Sequence, residues 1–184
     1  MMAPFSCVMV GNESLLVQCA RLLIQRGHEI RTIASDNADI TAWAEEAGIP
    51  VVAPGAGLEV RLTPGFDWLF SIANLSVLPE AVLAMARKGA VNFHDGPLPR
   101  YAGLNAPVWA LLNGETRHGI TWHLIEPEID AGDIIEQVMF DIAGDDTAFS
   151  LNARCYASAI DSFPAVVEAL EAVVMVRPVF SNTK

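Results

Sequence analysis

The sequence predicts an α/β fold built on a doubly wound, mostly parallel sheet. Short apolar runs alternate with amphipathic stretches from the start of the chain, which is the pattern of strands and helices that build a parallel sheet. The 184 residues suffice for one such domain, and a composition of 52% hydrophobic and 18% charged residues is typical of a globular protein with a large core. We expect residues 1–175 to form the domain. Residues 176–184 lose the periodicity and are predicted to be a tail or a linker.

The first half of the chain predicts a β-α-β-α-β unit. Ser14 is the predicted N-cap of the first helix, Gly27 closes that helix, and Pro50 leads into the third strand. The predicted strands cover residues 5–10, 28–34 and 51–52, and the predicted helices cover residues 15–25 and 36–47.

The second half continues with strands and helices but ends in a different pattern. The predicted strands are 68–73, 90–93, 119–125 and 134–142, and the predicted helices are 79–88, 106–112 and 147–174. Pro164 predicts a break or bend in the last helix. The last two strands, joined by the loop that holds Asp130, form either a hairpin-like excursion or an edge of the sheet.

The candidate chemistry lies at the end of the strand that contains Asn92 and His94. Residues two apart in a strand point to the same face, so both side chains should project together where open α/β sheets build their sites. Alone, each residue is more often structural, as a turn cap or a buried histidine. The rigid Pro97-Leu98-Pro99 loop and Asp130 favour a site, because an amide, an imidazole and a carboxylate together suit attack at a carbonyl.

Two other kinds of site are disfavoured. The turn at Gly11 has one glycine where a dinucleotide motif needs three. A metal site formed by His94, Asp95 and Asp130 has no supporting His or Cys cluster, so we expect no metal. The three cysteines are odd in number and widely spaced, which predicts buried thiols in a reducing compartment (Cys7, Cys19 and Cys155).

Charge and hydropathy exclude further classes. The net charge of −11 leaves no basic patch for a nucleic acid, and no apolar run reaches the length of a membrane span, so we expect a cytoplasmic protein. His118 and His123 are interpreted as strand-surface residues without a role. Trp109, Leu112 and Phe140 are predicted to lie in the core rather than at an interface.

These residues resemble the 10-formyltetrahydrofolate-dependent formyltransferases. Members of that family carry a catalytic Asn-x-His, a leucine- and proline-rich loop and a distant Asp in a D-x-G segment, which correspond here to Asn92-Phe93-His94, Pro97-Leu98-Pro99 and Asp130-Ala131-Gly132. The likeness covers most of the chain and implies a Rossmann-like formyltransferase domain with Asn92, His94 and Asp130 as its catalytic residues. Residues 70–74 and 103–107 are most similar to the N-terminal formyltransferase domain of nonribosomal peptide and hybrid polyketide synthetases.

The resemblance also implies the donor and its site. The donor is 10-formyltetrahydrofolate, held between the loop at residues 73–78 and the loop at residues 125–133. The implied folate contacts are Ile72, Ala73, Asn74, Leu75, Val77, Leu78, Ile125, Glu126, Glu128, Ile129 and Asp133. Asn92 and a protonated His94 would stabilise the oxyanion, and Asp130 would orient His94 and raise its pKa.

The acceptor is the open question. Asp95, Gly96 and Pro97 are implied substrate contacts, and Asp95 stands where many members have glycine or proline. Glu13 argues against glycinamide ribonucleotide, because it would repel a phosphate. The additional C-terminal domain and the basic surface of methionyl-tRNA formyltransferases are not seen.

We expect a carrier-bound aminoacyl amine as the acceptor, presented by a carrier domain through a phosphopantetheine arm. The alternatives are a sugar amine or a free amino acid derivative, hydrolysis of the donor to formate, and a non-catalytic folate-binding or docking domain.

Overall fold

The computed structural model describes residues 4–173, which form one seven-stranded sheet flanked by helices. The strands are β1 (Ser6–Val10), β2 (Glu29–Ala34), β3 (Val51–Val52), β4 (Trp68–Ser71), β5 (Gly89–His94), β6 (Arg117–Leu124) and β7 (Ile134–Asp141). The helices are α1 (Ser14–Gln25), α2 (Ala38–Glu46), α3 (Leu58–Arg61), α4 (Glu80–Leu83), α5 (Ala106–Leu112) and α6 (Ala148–Glu171).

The sheet has the order β3-β2-β1-β4-β5-β6-β7. β1 to β5 pair in parallel, whereas β6 runs antiparallel to β5 and β7 antiparallel to β6. The predicted doubly wound, mostly parallel sheet is therefore confirmed, and β6 and β7 form an edge of the sheet rather than an excursion from it. The strand order reverses between β1 and β4, which opens a crevice at the carboxyl ends of the strands.

Two apolar layers cover the sheet. On one face, α1 and α6 pack against side chains that include Phe70, Phe93 and Trp122. On the other face, α3 and α4 cover Leu69 and Ala90. Because strand residues alternate between faces, Asn92 and His94 project from the Ala90 face of β5, and Phe93 projects towards α6.

Several predicted elements differ in detail. Ser14 is the first residue of α1, and Glu13 is its N-cap without a side-chain hydrogen bond. The helix predicted over 79–88 spans only Glu80–Leu83, because Arg87 N–H donates to Phe66 O, which draws the chain towards the start of β4. Helix α3 was not predicted, and α6 continues through Pro164.

Burial corrects one prediction and confirms another. Trp109 and Leu112 are 54% and 70% exposed, so their assignment to the core is wrong, and Phe140 is half-buried. The short helix α5 instead packs through Ala106 and Ala110, which are small. The three cysteines are free and buried as predicted.

The predicted tail, residues 176–184, lies outside the described residues. Within residues 4–173, no helix combines the length and the apolar character that crossing a bilayer requires.

Candidate active site

Two of the predicted site residues lie at the carboxyl end of β5. His94 is buried and Asn92 is half-buried, and both project from the same face of the strand. The predicted pairing of these two side chains follows directly from their spacing in a strand that continues through His94.

Asp130 joins them from the loop between β6 and β7. Its backbone adopts φ +54°, an uncommon conformation for a residue other than glycine, and Gly103 N–H donates to its Oδ2 atom over 2.8 Å. The same Oδ2 atom lies 3.7 Å from His94 Nδ1. The fold therefore brings Asn92, His94 and Asp130 to one place from segments 36 residues apart along the chain, counting from His94 to Asp130.

A backbone contact orients the His94 ring. His94 Nε2–H donates to the carbonyl oxygen of Tyr101 over 2.7 Å, since a carbonyl can only accept. In the neutral ring, Nδ1 is then the unprotonated nitrogen, and it faces Asp130. Gly96 permits this geometry, because a Cβ atom there would lie 2.9 Å from His94 Nε2 and 2.8 Å from Ala106 Cβ.

His123 belongs to the same cluster, and its interpretation as a surface residue without a role is wrong. It is 2% exposed and lies opposite Asn92 in the antiparallel pairing of β5 with β6. Its Nδ1–H donates to Leu124 O over 2.8 Å, and its Nε2 lies 3.1 Å from Asn92 Nδ2 and 3.5 Å from Asp130 Oδ1. In the neutral ring, Nε2 accepts a hydrogen bond from the Asn92 amide.

The carboxyl group of Asp130 is held in its charged form. The interaction with His123 is the main cause of the lowered pKa of Asp130, and the backbone N–H of Gly103 and the neighbouring His94 act in the same direction against the opposing effect of burial. The ionised carboxylate of Asp130 therefore faces both imidazole rings, 3.7 Å from His94 Nδ1 and 3.5 Å from His123 Nε2.

His118 is also buried, so its interpretation as a surface residue is wrong too. It is fully buried, its Nε2–H donates to the carbonyl oxygen of Asp95 over 2.8 Å, and its Nδ1 atom has no hydrogen-bond partner among the described residues. Burial is the main cause of the lowered pKa of His118. A neutral His118 therefore fixes the backbone immediately after His94.

Side chains from β6 and β7 hold the rest of this loop. Thr121 Oγ1–H donates to Gly96 O over 2.8 Å and accepts from Leu98 N–H over 3.1 Å, and Gln137 Nε2–H donates to Leu98 O over 2.9 Å. These bonds pair otherwise unpaired backbone groups, so the loop after His94 is fixed before a substrate arrives.

The residues implied as folate contacts fall into two groups. Ile72 is fully buried, so only its backbone is open to a ligand. In the loop after β4, Asn74 Nδ2–H donates to Ser76 O over 2.8 Å, and Ala73 has φ +48°. Leu75, Val77 and Ile129 are 81%, 76% and 65% exposed, Ala73, Asn74, Leu78 and Ile125 are half-buried, and Glu126, Glu128 and Asp133 are exposed.

The turn after β1 is occupied by structural contacts. A Cβ atom at Gly11 would lie 2.0 Å from Ile72 O, so the residue must be glycine for the turn to pass β4. Asn12 Oδ1 accepts from Ser35 Oγ–H and from Asp36 N–H, so the Asn12 side chain links the turns after β1 and β2. This explains both residues without a nucleotide.

Within residues 4–173, no cluster of three or more His, Cys, Asp or Glu side chains has the geometry to hold a metal ion.

Comparison with known proteins identifies the family. Residues 67–167 match the formyl transferase family, and this range contains β5, Asp130 and the first part of α6. The chain belongs to the formyl transferase family. The resemblance predicted from the Asn-x-His and D-x-G segments is thereby confirmed at the level of the family, whereas the particular likeness to peptide synthetase domains stays a prediction.

Relatives of several kinds share this formyltransferase sequence and fold. The chain is 28% identical to the methionyl-tRNA formyltransferase of Geobacter metallireducens, over 96% of this chain and 62% of the relative. It is 30% identical to the GDP-perosamine N-formyltransferase of Brucella melitensis, over 92% of this chain and 70% of the relative. Glycinamide ribonucleotide transformylase 1 from Symbiobacterium toebii shares the fold, with a TM-score of 0.81 at 23% identity over 95% of this chain and 92% of that one.

The chain thus spans less than two thirds of the methionyl-tRNA formyltransferase that it matches.

Proposed function

We propose that this protein transfers a formyl group from 10-formyltetrahydrofolate to a primary amine. The observation that carries the proposal is the convergence of Asn92, His94 and Asp130 at the end of β5, with His94 Nδ1 3.7 Å from Asp130 Oδ2. An amide donor, an imidazole base and an ionised carboxylate are what amine attack on a formyl carbon requires.

The donor fits the side of the site formed by the loops after β4 and β6. Leu78 and Ile125 pack on the same face of the sheet from which Asn92 and His94 project. The exposed side chains of Leu75, Val77 and Ile129 give these two loops an apolar rim that suits a flat aromatic ring. All eleven folate contacts implied by the sequence remain part of this proposal, with Ile72 acting through its backbone.

Asn92 is proposed to stabilise the charge that develops on the formyl oxygen. Its Nδ2 atom carries two protons, and His123 Nε2 accepts one of them. The second proton remains available to the oxygen, and a fixed donor of this kind is worth about 10²–10³ in rate.

His94 is proposed to accept the proton of the attacking amine at Nδ1 and to return it to the folate nitrogen as the bond between that nitrogen and the formyl carbon breaks. The resemblance implied that a protonated His94 stabilises the oxyanion. The Nε2–H of His94 is bonded to Tyr101 O, so donation from Nε2 to the oxyanion would require that bond to break. A proton on Nδ1 would face Asp130 Oδ2, and the ionised carboxylate would stabilise the imidazolium. General base action of this kind contributes about 10²–10⁴ in rate.

Two acceptor classes are supported by different observations. The likeness of residues 70–74 and 103–107 to synthetase domains supports a carrier-bound aminoacyl amine, presented on a phosphopantetheine arm. The 30% identity to a GDP-perosamine N-formyltransferase supports an amino sugar. Both acceptors present a primary amine to the same three residues, so the chemistry at the formyl carbon is shared.

Two experiments test the proposal. The first is calorimetric titration with 5-formyltetrahydrofolate, a stable analogue of the donor, and the second is a turnover assay with 10-formyltetrahydrofolate. We expect saturable binding to the wild type and to Asn92→Ala, and release of tetrahydrofolate only from the wild type when an aminoacyl thioester or an amino sugar nucleotide is supplied. His28→Gln, a change at a buried histidine near the amino end of β1, is the control and should behave like the wild type.

The alternatives give different results in the same assays. Release of free formate at the full rate without any amine identifies a hydrolase. Binding without turnover for every acceptor identifies a non-catalytic folate-binding domain. Absence of binding overturns the proposed donor.

A further inference from the structure

The backbone of Asp95 lies against α6, which covers the face of the sheet opposite to the one on which Leu78 and Ile125 of the proposed donor loops pack. Asp95 directly follows His94, and its carbonyl oxygen accepts from His118 Nε2–H and lies 3.9 Å from Cys155 Sγ of α6. The preceding Phe93 ring packs edge-on against Tyr156 of α6, with ring centroids 6.1 Å apart. The α6 side of the site is therefore the side left for the acceptor, if the donor occupies the loops after β4 and β6.

The backbone of Asp95 is fixed, whereas its carboxylate is free. Among residues 4–173, no lysine, arginine or histidine forms an ion pair with it, and no group of another residue donates a hydrogen bond to it. The residue is half-buried. A half-buried carboxylate without a partner is costly, and a cationic or hydrogen-bonding ligand relieves that cost.

Glu13 adds a second carboxylate to the α6 side, whereas Arg154 of α6 is paired with Asp146. Glu13, the N-cap of α1, is exposed and forms no ion pair within the described part of the chain. Burial, followed by the charges of Glu13 and Asp95, raises the pKa of Tyr156 to about 12, which indicates that both carboxylates act on the same point of α6. Asn12, the other polar residue of this turn, is engaged with Ser35 and Asp36.

We propose that Asp95 selects the acceptor by binding its amino group, and that the site takes primary amines with no phosphate or carboxylate beside the amine. The carboxylate attracts the ammonium form and accepts an N–H hydrogen bond from the neutral amine. Together with Glu13 it repels an anion on the acceptor. This inference rests on the proposed formyl transfer and specifies its acceptor.

Burial also raises the pKa of Asp95, with a smaller effect in the same direction from Asp130 and opposing effects from His94 and His118. An ammonium group bound at Asp95 would offset the cost of burying the charged carboxylate. This agrees with a site in which the substrate supplies the partner that the carboxylate lacks.

Two pairs of model acceptors test the selection. Leucine carries a carboxylate next to its amine that leucinamide lacks, and muramic acid carries a carboxylate that glucosamine lacks, in a lactyl ether on the carbon beside the amine-bearing carbon. At equal concentrations of the unprotonated amine, we expect the wild type to favour the member without the carboxylate by about tenfold or more in kcat/KM. Asp95→Asn should raise KM for the member without the carboxylate about 10- to 100-fold with a smaller change in kcat, and should reduce the preference to below about threefold.

Controls separate this proposal from the proposed function and from misfolding. Asp161→Asn removes an exposed carboxylate elsewhere on α6 and should change nothing, and Asp95→Ser provides a second variant if Asp95→Asn melts at a lower temperature. Failure to bind 5-formyltetrahydrofolate would overturn the proposed function. Donor binding combined with an unchanged acceptor KM in Asp95→Asn, or with no transfer to leucinamide or glucosamine, would overturn the role of Asp95 alone.

Discussion

Replacing His123 tests whether the second histidine of the site positions the catalytic groups. The His123 ring lies 3.1 Å from Asn92 Nδ2 and 3.5 Å from Asp130 Oδ1, so His123→Leu releases both groups while keeping an apolar side chain in a buried place. His123→Gln keeps an acceptor for the Asn92 amide but removes the imidazole ring beside Asp130.

The expected magnitude follows from the contacts that are lost. A neutral hydrogen bond contributes about 1 kcal/mol and a charge-assisted one about 1.5–3 kcal/mol. Loss of the entire oxyanion donor costs about 2.7–4 kcal/mol, and His123→Leu only loosens that donor. We therefore expect kcat to fall about 10- to 100-fold in His123→Leu, and about threefold to tenfold in His123→Gln.

Steady-state release of tetrahydrofolate at saturating donor, measured across pH, is the assay. The pH profile of kcat should change in both variants, because the interaction with His123 is the main cause of the lowered pKa of Asp130, and a purely structural residue would leave the profile unchanged. His28→Gln is the matched buried control and should keep kcat within twofold. If His123→Leu is folded and its kcat stays within threefold of the wild type, His123 does not position Asn92 and Asp130 for catalysis.

Three further predictions concern the site and its support. Asn92→Ala should lower kcat about 10²- to 10³-fold with little loss of donor affinity, measured by turnover and calorimetry. Gly132→Ala should fail to accumulate as folded protein, because its Cβ atom would lie 1.8 Å from Leu124 O, and circular dichroism of the purified variant checks this. Burial lowers the pKa of His28 against the opposing effect of Glu171, so the unfolded chain binds the proton first. The free energy of unfolding should thus fall as pH drops below about 6.5, and urea titrations should show a weaker fall in His28→Gln.

The sequence predicted those parts of the site that follow from the spacing of residues along one strand. Asn92 and His94 share a face because they are two apart in a strand, and the structure keeps both in β5. Asp130 was predicted as the carboxylate that completes a set with an amide and an imidazole, although a loop of Asp, Ala and Gly is also an ordinary turn. Its contact with His94 joins two loops that no local pattern connects.

His123 was missed because its role depends on strand register. The antiparallel pairing of β5 with β6 places His123 opposite Asn92 and Thr121 opposite His94. The sequence predicted both strands but left their arrangement open, between an excursion and an edge of the sheet. Two polar residues two apart in β6, Thr121 and His123, were the available signal once β6 was paired with β5.

Two errors in the predicted fold have the same cause. The predicted helix 79–88 ends early, because Arg87 and Lys88 donate to the carbonyl oxygens of Phe66 and Asp67 at the start of β4. Trp109 was assigned to the core from its size and apolar character, but α5 packs through its small residues. In both places tertiary contacts decide the outcome against local preference.

The most direct measurement follows the formyl carbon itself. The donor is prepared with ¹³C in the formyl group and incubated with the protein and each acceptor class, and the label is followed by NMR. We expect ¹³C to appear in a formamide with the wild type and the rate to fall about 10²- to 10³-fold with Asn92→Ala. Label recovered only as free formate, or a formamide formed equally fast by Asn92→Ala, would contradict formyl transfer to an amine by this site.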